Sequence, residues 1–207
     1  MGVFGGAFDP PHCAHVALAE AAIKQLQLNE LRIIPTGQAW HKTRQLSPAE
    51  QRLEMTELAF LGLQGVTVDT RELDRPGPSY TIETLEALQA EQPESEFFLL
   101  MGADQLAAFR QWRRWQDILA LATLCVAERP RQTGESDNLT PQASDVLPSL
   151  RLQIPLNPVS ATAIRQQIAS QAGPNSSTSC DVTGLLPEAV ARYISRHGLY
   201  QAPSTPQ

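Results

Sequence analysis

Short apolar runs alternate along the chain with longer stretches of helical periodicity, and that alternation sets the expected fold. Residues Met1-Gly2-Val3-Phe4 read as a short buried strand, followed by a glycine turn at Gly5-Gly6 and the start of a helix. Val16 to Leu26, rich in alanine and leucine, predicts a helix. Leu31-Arg32-Ile33-Ile34-Pro35 is a β-branched run ending on proline and predicts a buried strand. Ser47-Pro48-Ala49-Glu50 carries a helix-start signal, with Ser47 as N-cap, Pro48 first in the helix and Glu50 closing a capping box. That helix is expected to reach about Leu63. A strand over Gly65–Asp69 follows, then a break at Pro76-Gly77-Pro78 and a helix from Ser79. Further strands are expected over Glu96–Asp104, Leu119–Glu128 and Leu150–Ile154, and a closing helix over Pro187–Gly198. Residues 131–147 read as a polar loop, 171–181 as a flexible insertion and 202–207 as a frayed tail.

Strands and helices in this order build right-handed βαβ units and a parallel sheet. The expected class is therefore α/β, a doubly wound parallel sheet with helices on both faces. One domain should span residues 1–201, with a short helical C-terminal part from about residue 160. Ligands of such sheets bind beyond the carboxyl ends of the strands. The Gly5 turn and the loop after Pro35 both fall at that edge.

Bulk properties narrow the classes of function. A chain of 207 residues can bury one sizeable core. Net charge is −6 and no lysine/arginine run occurs, which argues against a polymeric nucleic-acid partner. Cys13, Cys125 and Cys180 are far apart and odd in number, as expected in a reducing cytoplasm. The chain has no charged-then-apolar leader and no apolar run near ~18 residues, so neither a secretory signal nor a membrane span is expected.

The chemistry concentrates in residues 5–15. Asp9 and Pro10 each precede a proline, which disfavours the α region and makes Pro11 the first expected helical residue. His12 and His15 then share one face of the first turn. Glycines, a helix N-terminus and two imidazoles make a site for a polyanion, most simply the phosphates of a nucleotide. The segment Gly5-Gly6-Ala7-Phe8-Asp9-Pro10-Pro11-His12-Cys13-Ala14-His15 resembles the G-G-T-F-D-P-x-H-x-G-H signature of the nucleotidyltransferases with a Rossmann-like fold, with Ala7 and Ala14 in place of Thr and Gly. His12, Cys13 and His15 do not suggest zinc, because no second ligand cluster follows.

Later segments extend the resemblance. His41-Lys42 stands where that family carries a basic loop. Pro78-Ser79-Tyr80-Thr81 resembles a segment of its nicotinate mononucleotide adenylyltransferases. Gly102, Asp104 and Leu106 match G-x-D-x-L, and an acid just past a strand is well placed for ribose hydroxyls. Trp112 and Trp115, three apart, are expected to share a helical face, and Trp115 is expected to pack in the core; the resemblance implies stacking on a pyridine ring for Trp112. Arg129-Pro130 is similar to an R-P step of the family, and Val159-Ser160-Ala161-Thr162-Ala163-Ile164-Arg165 to its second signature, I-S-S-T-x-I-R.

The resemblance implies transfer of the adenylyl group of ATP to nicotinate mononucleotide, giving deamido-NAD and pyrophosphate, a step of NAD synthesis in the cytoplasm. It assigns His12, His15, Lys42 and Arg165 to catalysis. It assigns Gly5, Gly6, Phe8, Gly102, Asp104, Ser160 and Thr162, with His12, His15 and Arg165, to ATP. Lys42, Ser79, Tyr80, Thr81 and Trp112 would meet the mononucleotide. No protein metal site is implied; Mg2+ would arrive on the ATP phosphates. No membrane partner is implied, and a homo-oligomer is left open. Phosphopantetheine and nicotinamide mononucleotide adenylyltransferases share both signatures, but Pro78-Ser79-Tyr80-Thr81 and Trp112 argue against them. A dinucleotide-dependent oxidoreductase is disfavoured because the first turn lacks G-x-G-x-x-G. Intact His12, His15 and Arg165 weigh against a non-catalytic nucleotide-binding module.

Overall fold

Each apolar run becomes a strand of one sheet in a computed structural model of the protein, which describes residues 1–38, 45–128, 147–155, 159–171, 182 and 184–201. In chain order the elements are β1 (Gly2–Gly6), α1 (Cys13–Gln25), β2 (Leu31–Pro35), α2 (Ala49–Phe60), β3 (Val66–Val68), α3 (Arg71–Asp74) and α4 (Thr81–Glu91). Then come β4 (Phe97–Met101), α5 (Ala103–Ala108), a 3-10 turn (Phe109–Gln111), α6 (Trp115–Leu121), β5 (Ala122–Glu128), β6 (Ser149–Gln153), α7 (Ala161–Gln171) and α8 (Glu188–His197). The sheet order is β3-β2-β1-β4-β5-β6 and every pairing is parallel. Strand order reverses between β1 and β4. Their connections leave in opposite directions there, and a crevice opens at the carboxyl ends.

Alternation along the strands supplies both faces of the sheet. Phe4, Ile33, Leu100 and Cys125 turn to one face, where Leu18, Met55, Ile164 and Val190 bring in α1, α2, α7 and α8. Their neighbours Val3, Ile34, Leu99 and Leu124 turn to the other, against Ile82 and Leu85 of α4 and Ile118 of α6. Leu31, Ile33, Leu85, Leu88, Leu124 and Val126 are wholly buried, each contributing about 1.5–3 kcal/mol of hydrophobic stabilisation.

Several boundaries differ from the expectation. Ser47 is not an N-cap: α2 starts at Ala49 with Pro48 in the cap position. The Ser47 N–H donates instead to Asp9 Oδ2 at 3.1 Å, and its carbonyl accepts from Arg52 Nε at 3.0 Å. Tertiary partners therefore outcompete the local capping box. The helix stops at Phe60 rather than Leu63, where Leu61 turns extended and Gly62 adopts φ +88°. Residues 119–121 end α6 and do not begin β5. Arg114, at φ 53° and ψ 43°, separates Trp112 from Trp115, so the two tryptophans share no helical face. Trp115 packs at the edge of the α4/α6 core, as expected. The expected closing helix is present, with Gly198 at its left-handed end and the Leu199 N–H bonded to Ile194 O at 3.1 Å. The loop expected at 131–147 lies, but for its last residue, outside the described residues. So do the insertion at 171–181, but for its first residue, and the tail at 202–207.

Candidate active site

All the described residues of the expected site line one cleft of about 1070 Å³ at the carboxyl ends of the strands. They arrive from separate elements. Gly5, Gly6, Phe8, His12 and His15 come from β1 and the start of α1. Ser79, Tyr80 and Thr81 lead into α4, and Gly102 and Asp104 follow β4. Trp112 precedes α6, and Ser160, Thr162 and Arg165 open α7. Lys42, together with His41 and the Arg129-Pro130 step, lies outside the described residues.

The first turn is built differently from the expected glycine turn. Gly5 and Gly6 finish β1 in strand pairing, opposite Ile34 and Pro35. The chain reverses at Phe8, whose φ is +46°. A Cβ on Gly6 would come within 3.0 Å of the Phe8 ring, whereas one on Gly5 would find its nearest neighbour, Ile34 O, at 4.0 Å. Gly6 is bare for packing, and Gly5 leaves the cleft floor open. Phe8 borders the cleft but is only 2% exposed. Its ring meets Phe4, His15 and Phe60 edge-on at 5.5, 5.2 and 5.9 Å. This packing fixes the side of His15.

The helix begins later than the sequence suggests. His12 is the extended N-cap of α1, and Cys13 is its first residue. The His12 N–H donates to His15 Nδ1 at 3.1 Å, and the two rings stack at 3.6 Å. With Nδ1 of His15 accepting, its proton belongs on Nε2. Burial pushes the His12 pKa down to about 4, against a weaker opposing backbone hydrogen bond. At neutral pH its imidazole is therefore uncharged. At this helix start the Cys13 N–H donates to Leu185 O at 2.9 Å.

The second signature meets the first at Arg165. Ser160 Oγ caps α7 by accepting from the Ala163 N–H at 3.2 Å. Arg165 Nη2 donates to Thr162 Oγ1 at 3.1 Å, and Nη1 donates to Asp9 O at 2.7 Å. Thr162 thus accepts from Arg165 and keeps its own O–H as a donor. The guanidinium bridges two segments 156 residues apart in sequence.

The far wall carries Ser79, Tyr80, Thr81 and Trp112. Ser79 is buried, and its N–H donates to Gln38 O at 3.0 Å. Tyr80 is the extended N-cap of α4, and the Arg113 guanidinium lies 4.5 Å from its ring centre. Trp112 is half-buried and leans on Phe109, 5.3 Å between ring centres. Asp104 sits exposed in the first turn of α5, and its Oδ2 accepts from Gln105 Nε2 at 3.2 Å. Glu72 is buried behind this wall and accepts from Thr84 Oγ1 at 2.8 Å; burial raises its pKa.

Sequence reasoning missed Asp9, Arg52 and Tyr200 as parts of this assembly. Arg52 is 2% exposed and donates to the carbonyls of Ser47, Ala7, Thr36 and Gly37 at 2.7–3.3 Å. It clamps the first turn to the end of β2. A signal did exist: Arg52 begins the stripe Arg52, Met55, Thr56, Ala59, in which a charge interrupts an otherwise buried helix face. Asp9 stands in the first signature, but nothing local pairs it with Tyr200, since their contact spans nearly the whole chain.

At the first turn and the start of α7 the cleft presents two imidazoles, hydroxyls and the Arg165 guanidinium, a set suited to phosphate oxygens, while the carboxylates Glu72 and Asp104 line it elsewhere. Among the described residues no group of three His, Cys, Asp or Glu could hold a metal ion. Also among them, no helix is long and apolar enough to cross a membrane.

Comparison with known proteins agrees with this geometry. A family model described as cytidylyltransferase-like matches residues 3–167. A protein of Albidiferax ferrireducens, described as a probable nicotinate-nucleotide adenylyltransferase, is 50% identical, covering 97% of this chain and 98% of its own. A Bordetella avium protein with the same description is 40% identical over 97% and 98%. The solved structure of Plasmodium falciparum nicotinic acid mononucleotide adenylyltransferase complexed with NaAD superposes with a TM-score of 0.71 at 15% identity, covering 96% of each chain. At that identity the likeness concerns the fold. The chain belongs to the cytidylyltransferase-like family and, within it, to the nicotinate-nucleotide adenylyltransferases.

Proposed function

We propose that the chain joins ATP to nicotinate mononucleotide, giving deamido-NAD and pyrophosphate in NAD biosynthesis, the reaction for which its relatives are named. The observation that carries this reading is the Arg165 bridge, which brings the His12/His15 turn and the start of α7 to one cleft. A phosphate oxygen of the mononucleotide attacks the α-phosphorus of ATP in line. A new P–O bond forms as the bond to the departing pyrophosphate breaks. That phosphate is already anionic at neutral pH, so no general base is required. Catalysis then consists of holding two anions together and stabilising the charge that develops on the transferring group.

In this reading His12, His15, Thr162 and Arg165 meet the ATP phosphates over the floor left by Gly5 and Gly6. Phe8 and Ser160 hold His15 and α7 in place. Gly102 and Asp104 take the adenosine ribose. Trp112 stacks on the pyridine ring, and Ser79, Tyr80 and Thr81 address its carboxylate. Lys42 is assigned to phosphate as a point charge. Mg2+, if carried in on the ATP phosphates, would supply further charge neutralisation. The cleft's own donors suit the phosphates that would carry the ion. We read residues 1–201 as one nucleotidyltransferase domain acting in the cytoplasm. The wide spacing and odd number of Cys13, Cys125 and Cys180 support a reducing compartment.

Pyrophosphate release from ATP with a panel of acceptors tests the reading. Nicotinate mononucleotide is expected to be the preferred acceptor. Release with phosphopantetheine alone would overturn the assignment.

A further inference from the structure

Tyr200 lies two residues beyond the glycine that ends α8 and 191 residues from Asp9, yet its phenol donates to Asp9 Oδ1 at 2.6 Å. We propose that Tyr200 is a positioning residue for adenylyl transfer: through Asp9 it holds the turn that carries His12 in register with Arg165. The inference rests on the function proposed above.

Asp9 is 2% exposed and sits in the turn between Phe8 and His12. Its Oδ2 accepts from the Ser47 N–H at 3.1 Å, and its backbone carbonyl accepts from Arg165 Nη1 at 2.7 Å. One residue thereby ties together the chain after α8, the residues before α2, and α7. The Tyr200 backbone is in the left-handed region at φ +64°, a conformation a bulky side chain adopts only when its surroundings impose it. Here it carries the phenol back over Met55, whose Sδ is 3.8 Å away, to Asp9. Burial and the neighbouring Asp9 carboxylate both raise the phenol pKa, so the group remains a donor. Tyr200 is not among the residues that line the cleft. It acts on the reaction by fixing where others stand, and a shift of about one ångström at such a turn can cost ~10²-fold in rate.

A merely structural Tyr200 would anchor α8 and affect stability alone. The test compares Tyr200→Phe, which removes only the hydroxyl, with Val190→Ala, which hollows the core under α8 at a wholly buried position. Pyrophosphate release and thermal midpoint are measured for both, and for wild type, well below every midpoint. Tyr200→Phe is expected to lower kcat by ~10- to ~10²-fold with KM for nicotinate mononucleotide nearly unchanged. Val190→Ala is expected to lower the midpoint at least as far and leave kcat intact. Asp9→Asn should reproduce the kcat loss, and the double variant should be no slower than the worse single one. Wild-type kcat in Tyr200→Phe, an equal loss in Val190→Ala, or additive losses in the double variant would overturn the proposal. An inactive wild type would defeat the proposed function and this inference together; an active wild type with an unaffected Tyr200→Phe defeats only the inference.

Discussion

Replacing Arg165 by lysine separates charge from geometry at the centre of the site. The guanidinium reaches Asp9 O at 2.7 Å with one nitrogen and Thr162 Oγ1 at 3.1 Å with another. Lysine keeps the positive charge but carries a single nitrogen on a flexible stem. It cannot bond to Asp9, orient on Thr162 and offer a planar fork to phosphate at once. Losing one charge-assisted hydrogen bond is worth about 1.5–3 kcal/mol. At 1.36 kcal/mol per decade, kcat/KM for ATP should fall by ~10- to ~150-fold. Steady-state pyrophosphate release at varied ATP gives the number, with a thermal melt to establish that the variant is folded. Arg165→Ala should lose more, because the charge goes as well. If Arg165→Lys retained kcat/KM within about twofold of wild type, charge alone would matter and the bridging argument would be wrong.

Three further outcomes are expected. His12 binds a proton near pH 6.5 in the unfolded chain but only near 4 when folded. The unfolded state therefore holds more protons between those values, so stability is full above about 6.5 and declines as pH falls toward 4, by up to ~3 kcal/mol. Urea denaturation across that window should show the slope in wild type and a flatter profile in His12→Asn; equal profiles would count against a buried neutral His12. Gly6→Ala drives a methyl into the Phe8 ring and should cost ~1–3 kcal/mol of stability. Gly5→Ala should melt like wild type yet raise KM for ATP, and a melting loss there would contradict the open floor. Finally, kcat/KM should favour nicotinate over nicotinamide mononucleotide by on the order of 10³-fold, because an amide leaves donors of the Ser79–Thr81 segment unpaired. Trp112→Ala should weaken both acceptors and keep the preference, whereas equal wild-type values would refute the carboxylate pocket.

What the chain determines by itself is whatever short-range physics can express. The run Leu31–Pro35 is β2 residue for residue, since a doubly covered parallel strand is largely apolar; Arg32 is its one charged position and is only partly buried. The succession of strands and helices leads to the parallel sheet and to its carboxyl edge. Ser160 caps α7 as its position announces, because a capping bond closes within one turn. Tertiary structure decided everything that depends on desolvation or on a distant partner. Ser47 lost its local cap to Asp9 and Arg52. His12 reads as one of two imidazoles at a polyanion site, and its protonation state, neutral because of burial, is set by the fold. Both tryptophans pack against one core cluster but only Trp112 also lines the cleft, and between them Arg114 takes a left-handed conformation that no periodicity announces. The contact of Tyr200 with Asp9 joins the two ends of the chain, and only a folded sheet carrying α8 against α2 brings them within 2.6 Å. Local pattern specifies which segments can be strands and helices. The electrostatics of a site depend on which of them exclude water from the same side chain.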